Sequence, residues 1–313
     1  MPSRRLIAWA TLPIGMLLLV IAVVLGRGDK TQHPLHFVPG LLSNGCHFSA
    51  RGLPSCGTYF GSAYGANTDP ARLEAQIGHH LGIHRTYYFA NQVDAAVSTA
   101  RDDIAHGRLP WLSLKTPYSW KEMADGRGDR WATDLASKLS ELRGPVWLAI
   151  HHEPEGDGDL TQWRGMQEHL APLVRSTALN VAYTVILTGY DQLYGPSEYH
   201  LARIWPRTKV DVAGFDVYNS PTMTAGYLVP LSKWATSQHV HWGLAETGYT
   251  DAESIGDPQW ISRTYRSVAE LGGIAFTYFD SAVNSSASWP LSTTGKRQDF
   301  ARAQKQAPSL PVE

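Results

Sequence analysis

The chain has 313 residues, 43% hydrophobic and 18% charged, with a formal net charge of −1. That near-neutral balance gives no footing for nucleic acid or for a membrane surface held by charge alone. The apolar share suits a folded domain with a large core, and two cysteines without a C-x-x-C spacing give no zinc framework.

From Leu6 to Gly26 the chain is almost uninterruptedly apolar, behind Arg4 and Arg5. About 20 apolar residues are enough to cross a bilayer, and the arginines favour a cytoplasmic N-terminus. A cleaved signal peptide is the alternative, although no small-x-small cleavage site follows closely. On either reading residues 1–30 are a membrane-anchor or signal helix, and the rest is exported to the cell surface or beyond it. Residues 31–56, with scattered Gly, Pro, His and Ser, read as a linker and lead-in loop. In an exported chain Cys46 and Cys56 are expected to form a disulfide there.

From residue 57 to 313 the chain has the size of one α/β barrel domain. Apolar runs return about every thirty residues with amphipathic stretches between them, the rhythm of repeated β–α units. The strand candidates are Thr58–Tyr64, Ile83–Phe89, Leu109–Lys115, Pro145–Ile150, Val181–Thr188, Val210–Val217, His241–Ala245 and Gly273–Phe279. Helices are expected over Pro70–Leu81, with Asp69 as N-cap, and over Val93–His106, Arg130–Leu142 and Leu160–Ala178. Further helices are expected over Tyr227–Gln238, Pro258–Leu271 and Lys296–Lys305, with a short one near Glu198–Ile204. Eight strands alternating with helices predict a (β/α)8 TIM barrel, whose active site lies at the C-terminal strand ends. A doubly wound sheet fits less well, because Phe60-Gly-Ser-Ala-Tyr-Gly is not a dinucleotide fingerprint.

Two glutamates stand directly after apolar strands: Glu153 in Ala-Ile-His-His-Glu-Pro-Glu and Glu246 in Gly-Leu-Ala-Glu-Thr-Gly. Two carboxylates at the ends of two parallel strands suit acid/base cleavage of a glycosidic bond, one protonated and one ionised. Glu155 competes with Glu153, but Glu153 is nearer the strand end. Aromatic and polar residues gather at the same ends, among them Tyr64, Tyr190 and Tyr218, with Trp163 and Trp289 on loop-side segments. Such residues line sugar clefts, although a single tryptophan is more often core material. Asp216 is expected to tie down loop hydrogen bonds rather than do chemistry. His151 and His152 lack the His-Glu-x-x-His spacing of zinc hydrolases, so neither metal nor organic cofactor is called for.

The His-Glu-Pro, Gly-Phe-Asp-Val-Tyr-Asn and Ala-Glu-Thr-Gly motifs at the fourth, sixth and seventh strands resemble the clan A retaining glycosidases. The resemblance is nearest to glycoside hydrolase family 26, the β-mannanase family, which carries histidine before its acid/base glutamate as His152 stands here. It implies Glu153 as acid/base, Glu246 as nucleophile, Tyr218 bonded to the nucleophile and His152 against the sugar. The family's His-Glu-Met-Asn-Gly is His-Glu-Pro-Glu-Gly in this chain, a departure that bears on the sugar contacts and on mannan as substrate. The expected partner is a poly- or oligosaccharide, with β-1,4-mannan first. A non-catalytic cell-surface sugar-binding barrel and a transglycosylase of envelope glycan are the competing readings.

Overall fold

The structure is a computed structural model that describes residues 40–283, 285 and 287–312; the apolar Leu6–Gly26 segment lies outside the described residues. Among the described residues no helix is long and apolar enough to cross a membrane.

Eight parallel strands close into one barrel in chain order. They are β1 (Tyr59–Tyr64), β2 (Ile83–Tyr88), β3 (Leu109–Leu114), β4 (Val146–Ile150), β5 (Val181–Thr188), β6 (Val212–Asp216), β7 (His241–Thr247) and β8 (Ala275–Asp280). All eight expected strands form. β7 continues through Glu246 to Thr247 instead of stopping at Ala245, and β6 and β8 each start two residues later than expected, at Val212 and Ala275.

The outer layer holds α1 (Ala71–Ile77), α2 (Val93–Ala105), α3 (Trp120–Ala124), α4 (Asp129–Ser140) and α5 (Leu160–Thr177). It continues with α6 (Gly189–Leu193), α7 (Leu201–Ile204), α8 (Val229–Ser237), α9 (Asp251–Gly256), α10 (Trp260–Glu270) and α11 (Thr294–Gln304). Helix α1 stops four residues before the expected Leu81, because Gly78 takes the left-handed conformation (φ 72°) and its N–H closes on Glu74. Asp69 caps it from one position further out, accepting from the Ala71 N–H at 3.0 Å.

The helix expected from Tyr227 begins earlier, as a π-helical turn over Met223–Leu228 that leads into α8. Pro230 sits in the first turn of α8 and has no N–H for the carbonyl four residues back. That carbonyl, Gly226, is taken instead by the Tyr194 hydroxyl at 2.6 Å.

Period-two alternation splits the core into two shells. Tyr59, Ile83, Leu109, Trp111, Trp147, Ala182, Ile186, Val212 and Ala275 pack together inside the barrel. Their neighbours in sequence, among them Phe60, Leu112, Leu148, Tyr183, Phe215 and Phe276, pack against the helices. Trp111 spans the interior and donates its indole N–H to Thr184 at 3.0 Å. Gly214 makes room for it, since a Cβ there would lie 2.9 Å from the Trp111 ring and 2.6 Å from Ile186.

The lead-in loop is more than a linker. Antiparallel bridges Leu41–His47 and Phe48–Pro54 fold it back on itself, and a disulfide joins Cys46 to Cys56 with Cα atoms 5.5 Å apart. Leu42 and Phe48 are buried in the inner shell, while Arg51 donates to the Val181 and Arg175 carbonyls and accepts from Trp147. These contacts fall at strand beginnings, so residues 40–56 plug the N-terminal mouth.

Candidate active site

Strict alternation would turn Glu246 outward, since Leu244 faces the helices and Ala245 the interior. The pairing of β7 is irregular on both sides: between Phe215 and Asp216 toward β6, and between Leu244 and Thr247 toward β8. Such a bulge gives consecutive residues the same face. Glu246 therefore points into the barrel mouth, 6% exposed.

Both of its oxygens are held there. The Tyr87 hydroxyl donates to Oε1 at 2.8 Å and the Tyr218 hydroxyl to Oε2 at 2.9 Å. The Arg85 Nη2 stands 3.6 Å from Oε1. Burial, then the Glu246 charge, raises both phenols well above their ordinary value, so each remains a donor.

Arg85 is fully buried at mid-barrel. Its Nη1 donates to Ser113 at 2.8 Å, and its guanidinium lies 4.6 Å from the Tyr87 ring. Burial works against its charge, but Tyr87, Glu246, Asp216 and Glu153 outweigh burial and keep it protonated.

Glu153 arrives by a different device. Beyond β4, His151 (φ 54°) and Glu153 (φ 47°) both adopt the left-handed conformation on either side of His152. Non-glycine residues pay strain for that conformation, and such strain gathers at functional sites. Two backbone bonds hold the kink, from His151 N to Leu114 at 2.8 Å and from Glu153 N to Ile186 at 3.0 Å. Helix α5 completes it: Trp163 donates to the His151 carbonyl and Gln167 to the Ile150 carbonyl. The His151 ring accepts from Trp120 at 2.9 Å through Nδ1, leaving Nε2 to face Asp157 at 3.0 Å.

Burial, and next the Glu246 charge, pushes the Glu153 carboxyl up to about 7. Asp216 is 4% exposed, and neither of its oxygens receives a hydrogen bond from a donor group. Burial and the charges of Glu246 and Glu153 raise it well above the carboxylate range. Asp216 is therefore a third carboxyl of the buried cluster around Glu246 and Glu153, not a partner of loop backbone groups. That corrects the expectation of Asp216 as a loop fastener. Burial, then Arg85, Lys115 and His151, drives the His152 imidazole well below its usual value. It is neutral, with its ring 5.5 Å from Tyr87 and its Nδ1 without a hydrogen-bond partner among the described residues.

Of the sequence-predicted residues, Glu153, Glu246, His152 and Tyr218 meet in this mouth, and Trp289 lies against Tyr218 with ring centroids 4.7 Å apart and planes tilted by 37°. The Trp289 carbonyl is fixed by Tyr278 and by the buried Lys296 ammonium, at 2.8 and 3.0 Å. Tyr64 is half-buried at the end of β1, in register with Asp280. Tyr190 is 59% exposed on α6, beside Tyr194. Trp163 is fully buried in the helix layer and offers no face to a ligand. Glu155 turns away, accepting from Thr188 N and from Gln192 at 2.6 Å. Arg85 and Tyr87 were not anticipated, although an arginine in the inward phase of Ile83-His-Arg-Thr-Tyr-Tyr was a visible signal.

No family profile and no curated protein matches the chain. Solved structures do. A GH26 β-mannanase from Bacteroides ovatus aligns with a TM-score of 0.57 at 17% identity, over 80% of this chain and 89% of that one. A GH26 endo-β-1,4-mannanase catalytic domain from Bacillus sp. JAMB-750 aligns at 0.56 and 13%, over 80% and 86%. An endo-β-1,4-mannanase of Cellulomonas fimi, as a double mutant, aligns at 0.58 and 14%, over 78% and 70%. What the chain shares with these enzymes is the fold, the parallel eight-stranded barrel.

Proposed function

We propose that the protein is a retaining β-glycosidase acting on a polysaccharide, with β-1,4-mannan the first candidate. The observation that carries this reading is the unequal treatment of two carboxyls in one mouth. Glu153 is pushed up to about 7, while Glu246 accepts two phenolic hydrogen bonds beside a buried arginine. Environments that separate two carboxyls in this way divide them into acid and nucleophile.

Glu246 attacks the anomeric carbon while Glu153 passes its proton to the departing glycosidic oxygen. Tyr87 and Tyr218 steady the attacking carboxylate. Once Glu153 is ionised it removes a proton from water, which breaks the glycosyl–Glu246 ester with a second inversion. Neutral His152 and the tilted Trp289–Tyr218 pair border the space where the reacting sugar sits. The likeness of fold to mannanases supports the sugar class. Residues 1–30 as anchor or cleaved signal, together with the Cys46–Cys56 disulfide, support action outside the cytoplasm.

The test is a panel of β-mannan, β-glucan and xylan oligosaccharides with product analysis. Cleavage of the mannan series, lost in Glu246→Ala, is expected. Turnover of none of the three, or turnover that survives Glu246→Ala, overturns the reading.

A further inference from the structure

A cleft of about 620 Å³ opens between the loop that leaves β6 and the first turns of α9 and α10. It shares a wall with the acidic mouth without being part of it. Asn219, which follows Tyr218, lines the cleft, and its N–H closes on the Gly248 carbonyl at 2.9 Å, tying that wall to the end of β7. The inner side is backed by the buried pair Tyr249 and Trp260, stacked at 4.9 Å with an interplanar angle of 22°. Tyr249 is fully buried, and its hydroxyl has no hydrogen-bond partner among the described residues.

The charge of the cleft limits what it accepts. Arg263 and Asp257 are joined by two hydrogen bonds, one at 2.8 Å. That pairing lowers the Asp257 carboxyl and raises the Arg263 guanidinium, so both are charged. Burial acts to raise Glu253, but hydrogen bonds from the Thr250 N–H and hydroxyl outweigh it and leave this carboxyl below its ordinary value. Two carboxylates against one guanidinium leave one negative charge, which disfavours phosphate, sulfate or uronate. Among the described residues no group of three or more His, Cys, Asp or Glu is placed to hold a metal ion. What remains is a volume in the range of small-ligand sites, with carboxylates, a guanidinium, the Asn219 amide and the Thr222 hydroxyl on its walls. That chemistry matches an uncharged polyhydroxylated chain.

We propose that this cleft is a second glycan-binding site, which holds an uncharged stretch of polysaccharide next to the catalytic mouth. The choice of glycan as ligand rests on the glycosidase reading. Holding the chain there raises the local concentration of cleavable bonds, so the site acts on long substrates and leaves short ones unaffected.

The test uses the full chain carrying Ala225→Trp, which fills the cleft from an exposed wall position. Arg263→Ala, which opens the Asp257 pair, is the second variant should the first misfold. Calorimetric titration of the Glu246→Ala protein with mannohexaose should show two sites. Adding either cleft variant should remove one of them. In the otherwise wild-type chain the same variants should raise KM for polymeric β-mannan about fivefold or more, with kcat/KM for 4-nitrophenyl β-mannoside unchanged. A single site in all proteins, or an unaltered KM for the polymer, overturns the proposal. Failure of the glycosidase reading shows separately, as absence of turnover of β-mannan, β-glucan and xylan oligosaccharides by the wild-type chain, and the titration then decides the cleft alone.

Discussion

At the residue scale, the two glutamates differ because their neighbours differ. Glu246 has two hydroxyl donors and a guanidinium within reach, whereas Glu153 has burial and the Glu246 charge acting against its ionised form. With Glu153 at about 7, its acid form is lost as pH rises through neutrality, so kcat/KM should fall above about pH 7, and Glu153→Gln should remove that limb of the profile. The stability sign follows from the same shift. A folded-state value above the unfolded one means that the native state holds the extra proton between about 4.5 and 7. Glu153 therefore costs stability progressively as pH rises through that window. At pH 8 Glu153→Gln should unfold at higher denaturant than wild type, by roughly 1–2 kcal/mol after discounting for partial exposure. At pH 4 the two should coincide, and equal stability at both pH values would remove burial as the cause. Tyr87→Phe and Tyr218→Phe each delete one donor to Glu246. Each should lower kcat about 10- to 100-fold with little change in KM, because a hydrogen bond to a charged group is worth about 1.5–3 kcal/mol. Steady-state kinetics on one oligosaccharide decides it.

At the element scale, two local irregularities place the chemistry: the bulge in β7 and the left-handed pair His151 and Glu153 after β4. Neither is written in hydrophobic periodicity. The strand rhythm itself was legible, and β5 runs over Val181–Thr188 as expected, because parallel strands buried on both faces read as continuous apolar runs. Glu246 was expected just past its strand, and only the irregular pairing explains how a residue inside β7 faces the mouth. Tyr87 and Glu246 lie 159 positions apart, a contact made by barrel closure that no local pattern announces. Trp163 misled for the opposite reason. Its expected loop-side place suggested a sugar platform, but its indole donates to the His151 carbonyl and is fully buried in the helix layer. The plug of residues 40–56 was equally hidden, since its burial depends on the barrel beneath it. Its disulfide closes a loop with a sequence separation of 10. Replacing both Cys46 and Cys56 by Ser should cost about 2–3 kcal/mol in a denaturant titration and leave kcat intact, because the plug is at the far mouth. A loss of kcat with stability unchanged would place the plug in the chemistry instead.

At the scale of the whole molecule, the barrel separates support from reaction. One mouth is closed by the plug, and the other collects side chains from β2, β6, β7 and the loop after β4 into a single acidic cluster around Arg85. The fold is common to enzymes with many activities, so the cluster, not the barrel, carries the assignment. Double displacement has a signature that belongs to the complete reaction. In the proposed mechanism Glu246 would invert the anomeric carbon once and water would invert it again, so the first product would keep the configuration of the substrate. Proton NMR of a β-manno-oligosaccharide digest, recorded before mutarotation, reads that configuration directly. The account predicts that the β-anomer appears first and the α-anomer grows in only later; initial release of the α-anomer would contradict it.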